Sequence, residues 1–236
     1  MAFGRNEVSE VNSEKEFMRF KTKDLLALPL FLGMNRDELE TVGEIINISE
    51  TLQKKGKTIV EAGKECKALH IIVEGRVAYE TWSDDRSYSV QEKLDAPLLI
   101  QPERIFGLTQ RFTSTVTALS VCKMIVIDKM MVVKLMDMSN TFRINFVNIV
   151  TTQSQRLQRQ LWHQWPQTIE QRVVRFIKEH CAYPAGEKRI NIQMNTLARE
   201  LGCSRLEVSQ ALHQLEEKEL IIMRRAIVDI PMMQRL

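Results

Sequence analysis

The chain has 236 residues, enough for one large or two small domains with ample core. Hydrophobic residues make up 44% and charged residues 27%, a balance ordinary for a soluble globular protein. The net charge of +3 is unevenly divided: residues 136–236 hold 14 Lys and Arg against 10 Asp and Glu, leaving residues 1–135 at −1, so basic surface gathers mildly toward the C-terminus.

The opening stretch MAFGRNEVSEVNSEKEF is polar and lacks the apolar core of a signal peptide. No run approaches the length of a membrane span, so a cytoplasmic location and no membrane contact are expected. Residues 24–50 read as a helical opening segment, with Asn35 and Glu38 at capping-box spacing ahead of Leu39, Val42, Ile45 and Ile46. From Glu50 the texture becomes β-like. Lys57–Val60, Ala68–Val73, Arg76–Trp82, Tyr88–Leu94 and Lys123–Ile127 are short β-prone runs separated by turn residues, which predicts a sandwich or small barrel. The four cysteines, Cys66, Cys122, Cys181 and Cys203, are scattered with no C-x-x-C pair, which argues against structural zinc and against a disulfide framework.

After Asp128 the pattern turns helical. Met130–Met136 predicts a short helix, and Ser139 or Asn140 caps a long one reaching about Trp165, where Pro166 stops or kinks it. Val147, Val150, Ser154, Leu157 and Leu161 follow the 3-4-3-4 spacing of a two-stranded coiled coil, while Phe142, Phe146 and Ile149 form an adjacent stripe suited to the β domain. That dress suits a dimerisation helix. Trp162 and Trp165 flank Pro166 and are candidates for packing a hinge. Thr168 with Gln171 forms a capping pair for the next helix, TIEQRVVRFIKEHC.

The last third is the most informative. Arg189–Ile192 alternates like a strand; Leu197, Ala198 and Leu201 give one helix an apolar face, and Gly202 suits a helix stop. Ser204 and Glu207 open a second helix whose Val208, Ala211, Leu212 and Leu215 face the first. Leu220–Met223 and Ala226–Ile230 about Arg224–Arg225 read as a hairpin wing. The sum is a winged helix-turn-helix, in which the second helix enters the DNA major groove. Its outward stripe, Arg205, Leu206, Ser209, Gln210 and His213, carries side chains fit for base edges. The helix starts at Asn195, Thr196 and Ser204, together with Arg224 and Arg225 of the wing and Arg199, are candidates for phosphate contacts.

A β-barrel, a long helix and a C-terminal winged helix, in that order, resemble the Crp/Fnr superfamily of transcription regulators. The likeness covers residues 25–236 and is most specific in LARELGCSRLEVSQALHQLEEKELI and AGKECKALHIIVEGRVAYE, with Gly63 and Gly75 at barrel turns; PLFLGMNRDEL is similar too. It implies an α+β architecture: a polar segment 1–24, a cyclic-nucleotide-binding-like double-stranded β-helix (jelly-roll) barrel over 25–135, a dimerisation helix and hinge over 136–166, and a winged helix-turn-helix over 167–236. It implies a homodimer on a two-fold symmetric double-stranded DNA operator, with RNA polymerase as a further partner. Arg205 matches the family's guanine-reading position, Leu206 stands where Glu is usual, and Gln210 replaces an Arg, so a different half-site is expected.

The resemblance also marks an effector pocket: Gly107, Leu108, Arg111, Thr113, Ser114 and Thr115 in the barrel, with Leu157 and Gln158 on the long helix. Leu108 stands where the family's ribose-gripping Glu belongs, and Phe112–Thr113 about where its phosphate-binding Arg-Ser pair belongs. Losing the carboxylate removes charge-assisted acceptors worth roughly 1.5–3 kcal/mol per hydrogen bond, so cyclic AMP is not expected to be the effector. Residues 1–65 contain no Cys, which leaves no ligands for the N-terminal iron–sulfur cluster of the oxygen-sensing branch. Haem stays open, with His70, Cys66, Cys122 or His163 as axial ligand. So does a constitutive DNA-binding protein whose barrel is a ligand-free dimerisation scaffold. With only His70 in the barrel and no nucleophile–base set, no catalytic residues and no metal site are assigned, and enzymatic activity is not expected.

Overall fold

The computed structural model describes residues 25–45, 50–161 and 166–236. Helix α1 (Arg36–Ile45) opens on the expected box: Asn35 Oδ1 accepts from the Glu38 amide at 2.8 Å and Glu38 Oε2 from the Asn35 amide at 3.0 Å. Eight strands follow: β1 (Glu50–Gln53), β2 (Thr58–Val60), β3 (Ala68–Glu74), β4 (Arg76–Trp82), β5 (Tyr88–Asp95), β6 (Leu98–Ile100), β7 (Thr115–Ala118) and β8 (Cys122–Asp128). One antiparallel sheet runs β1-β8-β3-β6, and the barrel part of the other runs β5-β4-β7-β2. Between them lie Leu69, Ile71, Val77, Tyr79, Ile100, Val116 and Ile125, all at most 1% exposed. The turn from β3 to β4 needs its glycine. Gly75 has φ +108°, and a Cβ there would stand 2.6 Å from the Val121 carbonyl oxygen and 2.8 Å from Cys122 Sγ.

Helix α2 (Lys129–Met138) is capped by Asp128, whose Oδ1 accepts from the Met131 amide at 2.9 Å. Helix α3 (Asn140–Leu161) starts at Ser139, whose hydroxyl accepts from the Phe142 amide at 3.2 Å. The expected division of faces on α3 is met at Phe142 and Phe146 but not at Val150, an expected seam residue that packs on the barrel instead. Phe142 and Phe146 are buried against the barrel, with ring centroids 5.7 Å from Phe31 and 5.8 Å from Phe106 respectively. Val147 and Leu157 remain 47% and 62% exposed, Ser154 is exposed, and Val150 is half-buried against the barrel core. Ile144, which the spacing did not select, is exposed beside them at 53%. The Leu161 side chain, Trp162, His163 and Trp165 lie outside the described residues.

The C-terminal part comprises α4 (Ile169–His180), β9 (Lys188–Ile192), α5 (Met194–Leu201), α6 (Arg205–Glu217), β10 (Ile222–Arg224) and β11 (Ile227–Ile230). The Thr168–Gln171 box forms as expected. A second core of Val173, Ile177, Leu197, Leu201, Val208, Leu212, Leu215 and Ile230 holds the three helices on the wing.

The sequence divides cleanly at the hinge, and the structure does not. Strand β9 pairs on one side with β11 and on the other with β5, so the second sheet runs β10-β11-β9-β5-β4-β7-β2 through both halves of the chain. Val90 of β5 belongs to the C-terminal core, at 3% exposed. The physical reason is an edge: β5 would otherwise present a row of unpaired amides and carbonyls on the barrel's flank, and β9 satisfies them.

Candidate nucleic-acid interface

Helix α5 ends on Gly202, which takes the left-handed conformation at φ 63° and donates its N–H to the Ala198 and Arg199 carbonyls. Two residues later Ser204 starts α6. Its hydroxyl accepts from the Glu207 amide at 3.2 Å, while Glu207 Oε2 accepts from the Ser204 amide at 2.8 Å. That amide bond holds the Glu207 carboxyl below its ordinary pKa, so Glu207 is committed to the cap rather than to a base. Ala198 and Val208 are buried where the two helices meet. The apolar side of α6 thus faces inward, and the remaining stripe turns out.

Arg205, Leu206, Gln210 and His213 are exposed and Ser209 half-buried. Arg205 is the first residue of α6 and has no ion-pair partner among the described residues. His213 lies 3.8 Å, Nδ1 to Oε2, from Glu216. The wing turns tightly through Arg225 and Ala226, with Arg224 opposite Ile227 and Ala226 at φ 57°. Arg224 Nε stands 3.6 Å from Asp229 Oδ2, but that carboxylate is bound more closely by Arg189, at 2.6 Å. Arg224 and Arg225 therefore stay exposed at the wing tip.

An open cleft of about 350 Å³ joins these pieces, lined by Gln193, Met194, Asn195, Arg205, Arg225 and Ala226. Asn195, Arg205 and Arg225, widely separated in sequence, converge on it. Gln193, Met194 and Ala226 were not singled out by the sequence, which placed the helix start at Asn195–Thr196. Helix α5 instead begins at Met194, with Gln193 as N-cap making no side-chain capping bond, and its first residues line the cleft. Thr196 is half-buried in that turn. Such an end, with two guanidinium groups beside it, suits a phosphate oxygen. The cleft's lining shows in the sequence only once the wing is known to fold back over α5.

Arg199 is a correction. It is turned away from this face and toward the β4–β5 turn, with Nη2 3.2 Å from Asp85 Oδ2. Asp85 in turn is held at a pKa of about 2, chiefly by hydrogen bonds from the Ser87 hydroxyl and amide and from the Ser83 hydroxyl.

The candidate effector residues lie in several different settings among the described residues. Gly107 and Leu108 are exposed, and Arg111 donates to the Gly63 carbonyl at 2.8 Å. Thr115 Oγ1 accepts from the Ala62 amide at 3.2 Å, and Leu157 and Gln158 are exposed on α3. Thr113 and Ser114 do come together, but around Gln101. Its Oε1 accepts from the Thr113 amide at 3.0 Å and its Nε2 donates to the Thr113 and Ser114 hydroxyls at 2.6 and 3.2 Å. Ser114 is buried and shares a 2.7 Å hydrogen bond with Thr81. Gln101, at φ 39°, was missed because an isolated Gln after an apolar run carries no motif.

Of the haem-ligand candidates, His70 Nδ1 lies 3.1 Å from the Ala68 carbonyl oxygen and its ring stands edge-on to Phe112. Burial pushes the Cys66 thiol up to about 11, and Cys122 Sγ donates to the Arg76 carbonyl. Among the described residues no three His, Cys, Asp or Glu side chains are grouped to hold a metal ion. No helix among them is long and apolar enough to cross a membrane.

A strand, a helix-turn-helix and a wing lie behind an antiparallel β domain. Residues 171–236 match the Crp-like helix-turn-helix domain. No curated protein matches the chain. Among solved structures, the catabolite activator protein of Thermus thermophilus is similar at 16% identity and TM-score 0.48, over 86% of this chain and 93% of that one. The DNR protein of Pseudomonas aeruginosa matches at 15% and 0.45, over 91% and 95%. The c-di-GMP-responsive regulator CLP of Xanthomonas campestris matches at 15% and 0.43, over 84% and 99%.

Proposed function

We propose that the chain acts as a homodimer that binds a two-fold symmetric double-stranded DNA operator in the cytoplasm and regulates transcription there with RNA polymerase. The observation that carries the reading is the convergence of Asn195, Arg205 and Arg225 on the open α5–wing cleft. Phosphate at that cleft would fix the register, and Arg205 and Gln210 would then read guanine and adenine edges from α6. The exposed Val147, Ser154 and Leu157 on α3 supply the apolar seam for a second copy. Asn195, Thr196, Ser204, Arg224 and Arg225 are assigned to the backbone, and Arg205, Leu206, Ser209, Gln210 and His213 to the groove.

Cyclic AMP is not the proposed effector. The Thr113 amide, a donor near the family's phosphate position, is taken by Gln101 Oε1, while Gln101 Nε2 fills the space beside it by donating to the Thr113 and Ser114 hydroxyls. The same observation favours a second reading, in which the barrel is a scaffold and DNA binding needs no small ligand. Operator binding by the purified chain without additives, followed by titration calorimetry with cyclic AMP, separates the readings. Binding at full strength without additive supports the scaffold. Micromolar cyclic AMP binding contradicts the scaffold reading and the exclusion of cyclic AMP as effector.

A further inference from the structure

The seam between β5 and β9 is built far beyond a passing contact. Its strands pair from Tyr88–Ile192 to Glu92–Lys188. At one end Glu92 Oε1 and Lys188 Nζ stand 2.8 Å apart, both at most 2% exposed. The Glu92 carboxylate also accepts from the Ala182 amide at 2.8 Å and the Tyr183 amide at 3.0 Å, fixing the loop that follows α4. Tyr183 then lies against Tyr79 in the barrel, ring centroids 5.6 Å apart. Further along, Asn191 donates to Ser89 at 2.9 Å, Tyr88 and His180 share a 3.0 Å hydrogen bond, Lys93 pairs with Glu187 at 2.6 Å, and Arg199 reaches Asp85.

A buried ion pair is a poor source of stability but a strict one of geometry, because displacing either partner leaves an uncompensated charge out of water. The seam therefore holds α6 at one orientation relative to the barrel and to α3. We propose that Glu92 and Lys188 are positioning residues for operator recognition. By locking the wing sheet to the barrel, they fix the separation of the two recognition helices in the dimer and so the spacing of the DNA half-sites. This rests on the homodimeric reading above. Neither residue touches DNA, so they set spacing and not base preference.

The test uses full-length protein and a duplex library in which the wild type's preferred half-sites are separated by every spacer length near one helical turn. Wild type is expected to enrich one spacing about tenfold over spacings two base pairs away, the scale of a single mismatch. Lys188→Met, which leaves Glu92 unpaired, is expected to reduce that preference to less than about threefold, the base preference within each half-site being unchanged. Should Lys188→Met not fold, Asn191→Ala with Arg199→Ala strips two seam contacts without burying a lone charge, and is expected to broaden spacing in the same direction. Unaltered spacing in every folded variant, or a wild type indifferent to spacing, overturns the proposal. A wild type that selects no sequence at all overturns the regulator reading beneath it.

Discussion

Single residues carry the clearest consequences. Arg205 opens α6 with its side chain in solvent. Replacing it with Ala should cost roughly 1–3 kcal/mol of operator affinity and relax one base position, read by fluorescence anisotropy across single-base variants of the operator; unchanged selectivity would remove Arg205 from base reading. Gly75→Ala meets the Val121 carbonyl at 2.6 Å in a left-handed backbone. It should lower stability by about 1–3 kcal/mol, visible as an earlier urea midpoint. Asp85 gives a pH dependence. Its folded pKa of about 2 lies below the ordinary carboxylate value. Its hydrogen bonds to Ser87 and Ser83 thus contribute stability fully above about pH 4, which is lost as pH falls toward 2. Asp85→Asn should flatten that part of an acid-unfolding profile, and an unchanged profile would place the acid sensitivity elsewhere.

At the scale of elements, α3 is a helix with two employments. Phe142 and Phe146 belong to the barrel, while Ile144, Val147 and Leu157 face water in a single chain. Val147→Glu with Leu157→Glu should convert a dimer into a monomer in analytical ultracentrifugation without altering the helix content. A variant that stays dimeric would move the interface off this face. What the sequence showed at this scale was whatever local chemistry decides. Capping boxes at Asn35, Thr168 and Ser204 and the stop at Gly202 are written in side chains three or four positions apart. Strands β1, β6 and β7 escaped, because three or four residues such as Leu98–Ile100 acquire their character only from the neighbours they pair with. Thr115–Ala118 was absorbed into an expected ligand loop and is a strand beside β4 and β2. Arg199 looked like any other basic residue near a DNA-facing helix, and only the position of the β4–β5 turn shows that Asp85 claims it.

For the whole molecule, the sequence shows two domains and a hinge, and the folded chain joins them through one sheet. That pairing spans about a hundred residues, and nothing in Tyr88–Asp95 or Lys188–Ile192 alone announces it; a buried Glu92 and Lys188 are identified as partners only by their register. The consequence is that the C-terminal sheet, and α6 packed upon it, is joined to the barrel through β9 and β5. The central claim remains that the face formed by α5, α6 and the wing binds specific DNA. Selection from random duplexes with the purified full-length chain tests it most directly. A palindromic motif whose half-sites lie about one helical turn apart, roughly 34–36 Å, is the predicted result, and enrichment that vanishes in Arg205→Ala would tie it to α6. Recovery of no sequence above background, at low as well as physiological salt, would contradict it.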